Sequence, residues 1–147
     1  MKKAMKLFAV LFTALFVLLG CAKEESASFE LKEGQNTSTL TYHYKGDVVT
    51  KQSAETKYVI SELPISEDEA MEQLKEENEE YTKIKGITAT LESKDGVITQ
   101  VLTIDYSVAK VEDLKKAFPD AFSGDGNVVS FEATKELIEQ AGYTEKK

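Results

Sequence analysis

Cys21 and His43 are the only thiol and the only imidazole in this 147-residue chain. A nucleophile–base pair would have to use one or both of them. A zinc site of the Cys/His type needs about four such ligands and is excluded by count. The context of Cys21 points to different chemistry. It ends the run Leu18-Leu19-Gly20-Cys21, behind three lysines (Lys2, Lys3, Lys6) and an uncharged apolar stretch from Leu7 to Leu19. As a helix that stretch would rise roughly 20 Å, short of the ~30 Å bilayer core. It has the length and flanks of a secretory h-region. An Ala-x-Ala-like cleavage site is replaced by a small residue before a cysteine, the pattern at which a thiol takes a diacylglyceryl group. Leu18, Leu19 and Gly20 would be read by the signal peptidase, and Cys21 would carry the lipid. The bland alternative is an unmodified thiol at the end of a plain leader or a short buried helix. One acyl chain gives only marginal membrane binding, with a partition constant on the order of 10⁴ M⁻¹, whereas two anchor stably.

The other candidate chemistry is weaker. Alternation along the strand pattern gives His43 the neighbours Thr41 and Lys45, with Thr50 expected opposite across a hairpin, which is a solvent-facing strand and not a nucleophile site. Glu67, Asp68, Glu69, Glu72, Glu76, Glu77, Glu79 and Glu80 form an acidic run. Calcium needs oxygens converging from a loop, and carboxylates spread along a helix diverge. Asp120, Asp125 and Asn127, with Gly124 and Gly126, lie in a loop but match no calcium spacing. Nothing identifies which acids would pair for glycoside hydrolysis. The expectation is therefore no catalytic residue, no metal and no cofactor. Phe118 and Phe122 flank Pro119 and are read either as packing under a loop or as the lining of an apolar groove.

Composition sets the surroundings. Residues 1–20 read as a lipoprotein signal peptide, 21–28 as a lipidated tether and 29–147 as one domain, large enough for a single core. A second cysteine is absent, so no intramolecular disulfide can form. Without the three leader lysines, 15 lysines face 26 acids and the formal charge is −11. With no arginine, such a surface disfavours nucleic acid and anionic headgroups alike. The expected membrane contact is the diacylglyceryl anchor, on the extracytoplasmic face of the cell membrane. The seven residues Ala22–Ser28 reach at most ~25 Å.

The elements that would carry these residues begin with strands. Ser28–Glu33 and Thr37–Lys45 alternate, with Leu40, Tyr42 and Tyr44 on one face. Gly46-Asp47 signals a hairpin leading into Val48–Gln52, with Tyr58–Ile60 as its continuation or a short extra strand. Ser66 and Glu69 make a capping box, followed by a narrow apolar stripe of Ala70, Met71, Leu74 and Tyr81. Asp95-Gly96 favours a type I′ turn. That turn pairs Lys94 with Val97, Leu91 with Gln100, Ala89 with Leu102 and Ile87 with Ile104. Helices are expected over Val111–Phe118 and Phe131–Ala141, the latter closed by Gly142. Strands followed by helices on one face predict an α+β two-layer sandwich with an antiparallel sheet of about five strands.

The lipobox, the run Thr39–Gln52, Asp95-Gly96-Val97 with Asp105-Tyr106, and Gly142-Tyr143 together resemble the YehR-like bacterial lipoproteins, a family built on one domain of unknown function. The resemblance covers nearly the whole chain and implies an α+β lipoprotein domain. It implies no activity, ligand or catalytic residue. The expected role is a non-enzymatic binding or accessory module of the cell envelope with a protein partner or small ligand. The alternative is a lipid- or peptide-binding protein using a groove between sheet and helices.

Overall fold

A computed structural model describes residues 12–13, 23–119, 122–123 and 126–147. Leu18, Leu19, Gly20 and Cys21 lie outside these residues, as do Asp120, Gly124 and Asp125. Strands β1 (Glu24–Glu33), β2 (Asn36–Lys45) and β3 (Val48–Val59) form a meander. A 3₁₀ turn (Ile60–Glu62) leads to α1 (Glu67–Thr82). The hairpin β4 (Ile87–Lys94) and β5 (Val97–Asp105) follows, then α2 (Val111–Ala117), α3 (Phe131–Gln140) and a short β6 (Thr144–Glu145). These six strands make one antiparallel sheet in the order β4-β5-β3-β2-β1-β6. Phe12–Thr13 and Phe122–Ser123 form a separate two-residue parallel pair.

The Asp95-Gly96 turn sets the second hairpin as its chemistry requires. Asp95 and Gly96 take φ of 52° and 79°, and Lys94 pairs with Val97, Leu91 with Gln100, Ala89 with Leu102 and Ile87 with Ile104. Ile87, Ile98, Leu102 and Ile104 are buried, whereas Thr88, Thr90 and Glu92 are exposed. α1 and the edge of the sheet bury Tyr58, Ala70, Leu74 and Ile98. α2 and α3 cover the rest, where Leu114, Phe131 and Ile138 pack with Phe29, Leu40 and Tyr42. Full burial of each such side chain contributes about 1.5–3 kcal/mol. The Phe131 ring stacks on Tyr44 at 3.7 Å and 5° and meets Tyr42 edge-on at 6.4 Å.

β3 is one strand of 12 residues, so Tyr58 and Val59 are its continuation and not a separate strand. Three features differ from the sequence reading. β1 begins at Glu24, so Glu24–Ala27 of the stretch read as tether are paired with Tyr42–Lys45 in the sheet. A β-bulge between His43 and Tyr44 shifts the register, so His43 pairs with Lys51 and not Thr50. Thr50 instead donates its hydroxyl to the His43 carbonyl at 3.2 Å. The sixth strand adds Phe29↔Glu145 and Glu30↔Thr144, two residues too short to show a period.

The apolar face also carries polar side chains, Asn78 and Gln100, that the apolar stripe does not reveal. Gln100 lies buried between β5 and α1 and donates to Asn78 Oδ1 at 2.8 Å and Glu77 Oε2 at 3.3 Å. Tyr81 donates to the other Glu77 oxygen at 3.4 Å. Burial pushes the Glu77 carboxyl up, against the lowering effect of the Gln100 and Tyr81 hydrogen bonds. Its protonated form therefore stabilises the fold below the ordinary carboxyl range, and this contribution is lost as pH rises through the raised value. Glu77→Gln keeps an oxygen for Gln100 and removes the charge. It is expected to raise Tm by about 2 °C at pH 7, a small effect because water still reaches the group, and to lose that advantage near pH 4. Thermal melts across that range check this; an advantage unchanged at pH 4 contradicts it.

Candidate functional site

The chain enters the sheet at the end that also holds the Gly46-Asp47 turn and the close of β5. Glu24 pairs with Lys45 there, and Asp105 pairs with Lys51. At this same end lies an apolar cleft of about 480 Å³. Its walls are the start of β3 (Val48, Val49, Thr50), the segment from Tyr106 into α2, and residues 127–129. Thr50 reaches from the cleft to the entering strand, its one hydroxyl proton shared between Glu24 Oε1 and the His43 carbonyl, each at 3.2 Å.

Each wall has a physical reason to be where it is. Asp105 closes an Asx-type turn, accepting from the Ser107 amide at 2.9 Å and the Ser107 hydroxyl. Those two bonds hold its carboxyl below the usual range. Val108 and Ala109 donate back to the Asp105 carbonyl at 3.1 and 2.8 Å, so residues 105–109 form a tight, self-bonded corner. Tyr106 donates from its amide to the Thr50 carbonyl at 3.1 Å and from its hydroxyl to Gln52 Oε1 at 3.0 Å. Burial pushes the Tyr106 phenol well up, so it serves as a neutral donor. Gln52 is fully buried, as is its cross-strand partner Tyr42. Among the described residues, Gln52 Nε2 and Tyr42 Oη have no hydrogen-bond partner, a cost of about 1–3 kcal/mol each.

The third wall is held by Asp47. Its carboxylate accepts from Ser130 Oγ and the Glu132 amide, both at 2.7 Å, and its carbonyl accepts from the Phe131 amide at 2.8 Å. The hairpin turn thus supplies an acceptor and a negative charge at the N-terminus of α3. Val49 donates to the Val129 carbonyl at 2.9 Å, and Lys115 of α2 donates to the Gly126 carbonyl at 2.9 Å. Asp47→Ala removes both carboxylate bonds. We expect a loss of about 2 kcal/mol, or roughly 6 °C in Tm, with faster amide exchange at Phe131 and Glu132. A loss below about 0.5 kcal/mol would show that the turn does not hold the helix.

The residues singled out in the sequence are not gathered into one site. His43 lies near the end of β2, beside the bulge and on the outer face, paired with Ser26 and Lys51. The α1 carboxylates are spread along the helix, and among the described residues no three His, Cys, Asp or Glu converge as metal ligands. Phe122 is buried, and Phe118 packs on Tyr81 with ring centroids 5.4 Å apart. Phe118 and Tyr81 also line a depression between α1 and α2 whose rim is Glu76, Glu77, Glu79 and Glu80. The cleft residues Val48, Tyr106, Val111 and Val129 were missed as a group. Each reads as ordinary core, and long-range bonds bring them together: Val49 to Val129, Tyr106 to Thr50, and Ser130 and Glu132 to Asp47.

Comparison with known proteins agrees with the fold. The NMR structure of the Escherichia coli YehR protein has a TM-score of 0.69 at 24% identity, covering 87% of this chain and 94% of that one. An NMR structure of a Streptococcus pneumoniae protein has a TM-score of 0.56 at 16% identity, covering 92% and 94%. Uncharacterized lipoproteins of Listeria innocua and Listeria monocytogenes are each 34% identical over 99% of this chain, spanning 96% and 98% of their own lengths. The uncharacterized lipoprotein YehR of Escherichia coli is 34% identical over 71% of both chains. The resemblance carried by the Thr39–Gln52 run and the Asp95-Gly96 hairpin is thus a true relationship. The model of one family, described as a protein of unknown function, DUF1307, matches residues 25–144, and the chain belongs to that family.

Proposed function

We propose that this protein is a membrane-anchored, non-enzymatic lipoprotein of the cell envelope that binds an apolar small ligand close to its membrane. The single observation that carries the reading is the apolar cleft at the end of the sheet where the chain enters. Cys21 lies three residues before Glu24, so the lipid would leave the domain beside that cleft. The lipobox and the relatives' description as lipoproteins support the anchor. No described helix is long and apolar enough to cross a membrane, so attachment would fall to the diacylglyceryl group at Cys21, on the extracytoplasmic face. The lone outward-facing His43 and the dispersed carboxylates give no constellation for covalent or acid–base catalysis, which favours a binding role.

A second reading has its own observation. The outer face of the sheet carries Thr37, Thr39, Thr41, Thr88, Thr99 and Thr103, and the described helices all pack on the other face. That face suits a protein partner of the envelope. Fractionation of cells making the full chain tests the anchored reading. The protein should sediment with membranes, resist carbonate and high salt, and be released by detergent. A chain that carbonate washes off overturns it.

A further inference from the structure

We propose that the cleft takes the hydrocarbon chain of a fatty acid drawn from the adjoining leaflet, with the acid's carboxylate held at Lys110. The inference rests on the anchored reading above for the source of the ligand, and on the cleft itself for its chemistry. Valines and an alanine (Val48, Val49, Ala109, Val111, Val128, Val129) make up half of the lining; Thr50, Ser107 and Asn127 also border the cleft, but most of the surface exposed in it is apolar. The one aromatic wall, Tyr106, already donates its hydroxyl to Gln52. A ligand body that needs several hydrogen bonds is poorly matched, and a hydrocarbon chain is well matched. A volume of about 480 Å³ lies in the lower half of the range for small-ligand sites, roughly 300–1,000 Å³, which favours one chain over two.

Position argues for the source. Residues 21–23 span at most about 10 Å, and Glu24 is bonded to the cleft residue Thr50. The mouth is therefore held near the headgroups. Val108, 43% exposed, is the only large apolar side chain exposed among the described residues. It sits between Ser107 and Ala109, both at the cleft, where an apolar tip would meet the leaflet first. Charge argues for the head. Lys110 lines the cleft, is exposed, and joins none of the ion pairs among the described residues. Glu112 also lines it, but positions two apart at a helix start do not face each other.

Membranes from cells making the full chain can be incubated with palmitate carrying a diazirine, irradiated, and mapped by peptide mass. Labelling should saturate and fall in Tyr106–Val111 and residues 127–129. Val129→Trp, which fills the cleft, should reduce it about tenfold or more. Should that variant fold poorly, Lys110→Glu serves, since its side chain is exposed. It should raise the palmitate concentration for half-labelling by about twofold to fivefold, as for one partly exposed charge pair. It should leave labelling by an uncharged diazirine monoacylglycerol unchanged. Diffuse or unsaturable labelling, or labelling indifferent to both variants, overturns the proposal. Labelling that appears only in Cys21→Ala would give the cleft to the protein's own anchor and also overturns it. A chain that carbonate releases yet still labels saturably in the cleft refutes the anchor and supports the ligand assignment.

Discussion

Cys21→Ala is expected to abolish incorporation of a fatty-acid probe completely and to leave a precursor that keeps its leader. In the proposed anchoring the Cys21 thiol is the nucleophile that would take the diacylglyceryl group, and the sequence holds no other cysteine to replace it. Cys21→Ser has nearly the same size and polarity but no thiolate chemistry, so it should fail equally. That equality separates lipidation from any packing role of the side chain. The uncleaved leader would hold the precursor poorly, because its apolar stretch of roughly 20 Å is shorter than the ~30 Å hydrocarbon core. Probe incorporation that persists in either variant sinks the anchor.

How far the sequence could be read depended on whether the deciding interaction was local. The Asp95-Gly96 turn is decided within four residues, so the register of β4 and β5 followed correctly to Ile87 and Ile104. The capping box is equally local: Ser66 Oγ accepts from the Glu69 amide, and Glu69 returns a bond to the Ser66 amide at 3.0 Å. Gly142 closes α3 with φ of 97°, and Tyr143 donates to the Ile138 carbonyl, a short-range cap as well. The bulge at His43 is different. It places Thr50 between two paired positions, and nothing in the alternation of Tyr42, His43 and Tyr44 signals an extra residue on the partner strand.

The polar core was invisible for the same reason. Asn78 interrupts the apolar stripe of α1, and Gln100 stands among isoleucine, leucine and valine on β5. Each looks like an exposed position until the 2.8 Å bond between them is seen. The cleft was the least legible feature, since its walls come from residues 48–50, 106–112 and 127–129. A reader of patterns finds three separate apolar segments there. What joins them is Asp47, whose carboxylate reaches 83 and 85 positions along the chain to Ser130 and Glu132. The hairpin turn was recognised; its second task, capping α3, was not.

Gly86→Ala should destabilise the fold strongly. Gly86 has φ of 95°, where a side chain costs about 1–3 kcal/mol in backbone strain alone. The added Cβ would lie 2.5 Å from the Ala109 amide nitrogen and 2.7 Å from its Cβ. Neither neighbour can yield cheaply. The Ala109 amide is bonded to the Asp105 carbonyl, and the Asp105 amide is bonded to the Gly86 carbonyl at 2.9 Å. Moving Ala109 therefore opens the corner that fixes the second wall of the cleft. The expected loss is about 3 kcal/mol or more, a fall of about 1–2 M in the urea midpoint. Gly96→Ala isolates the contact from the strain: its φ is 79°, and nothing lies within 4 Å of the added Cβ. It should cost only about 1 kcal/mol. Equal losses at the two glycines would mean that the Ala109 contact contributes nothing. A larger loss at Gly86, together with weaker ligand capture in the cleft, would tie that one backbone approach to both the stability of the fold and the shape of its binding site.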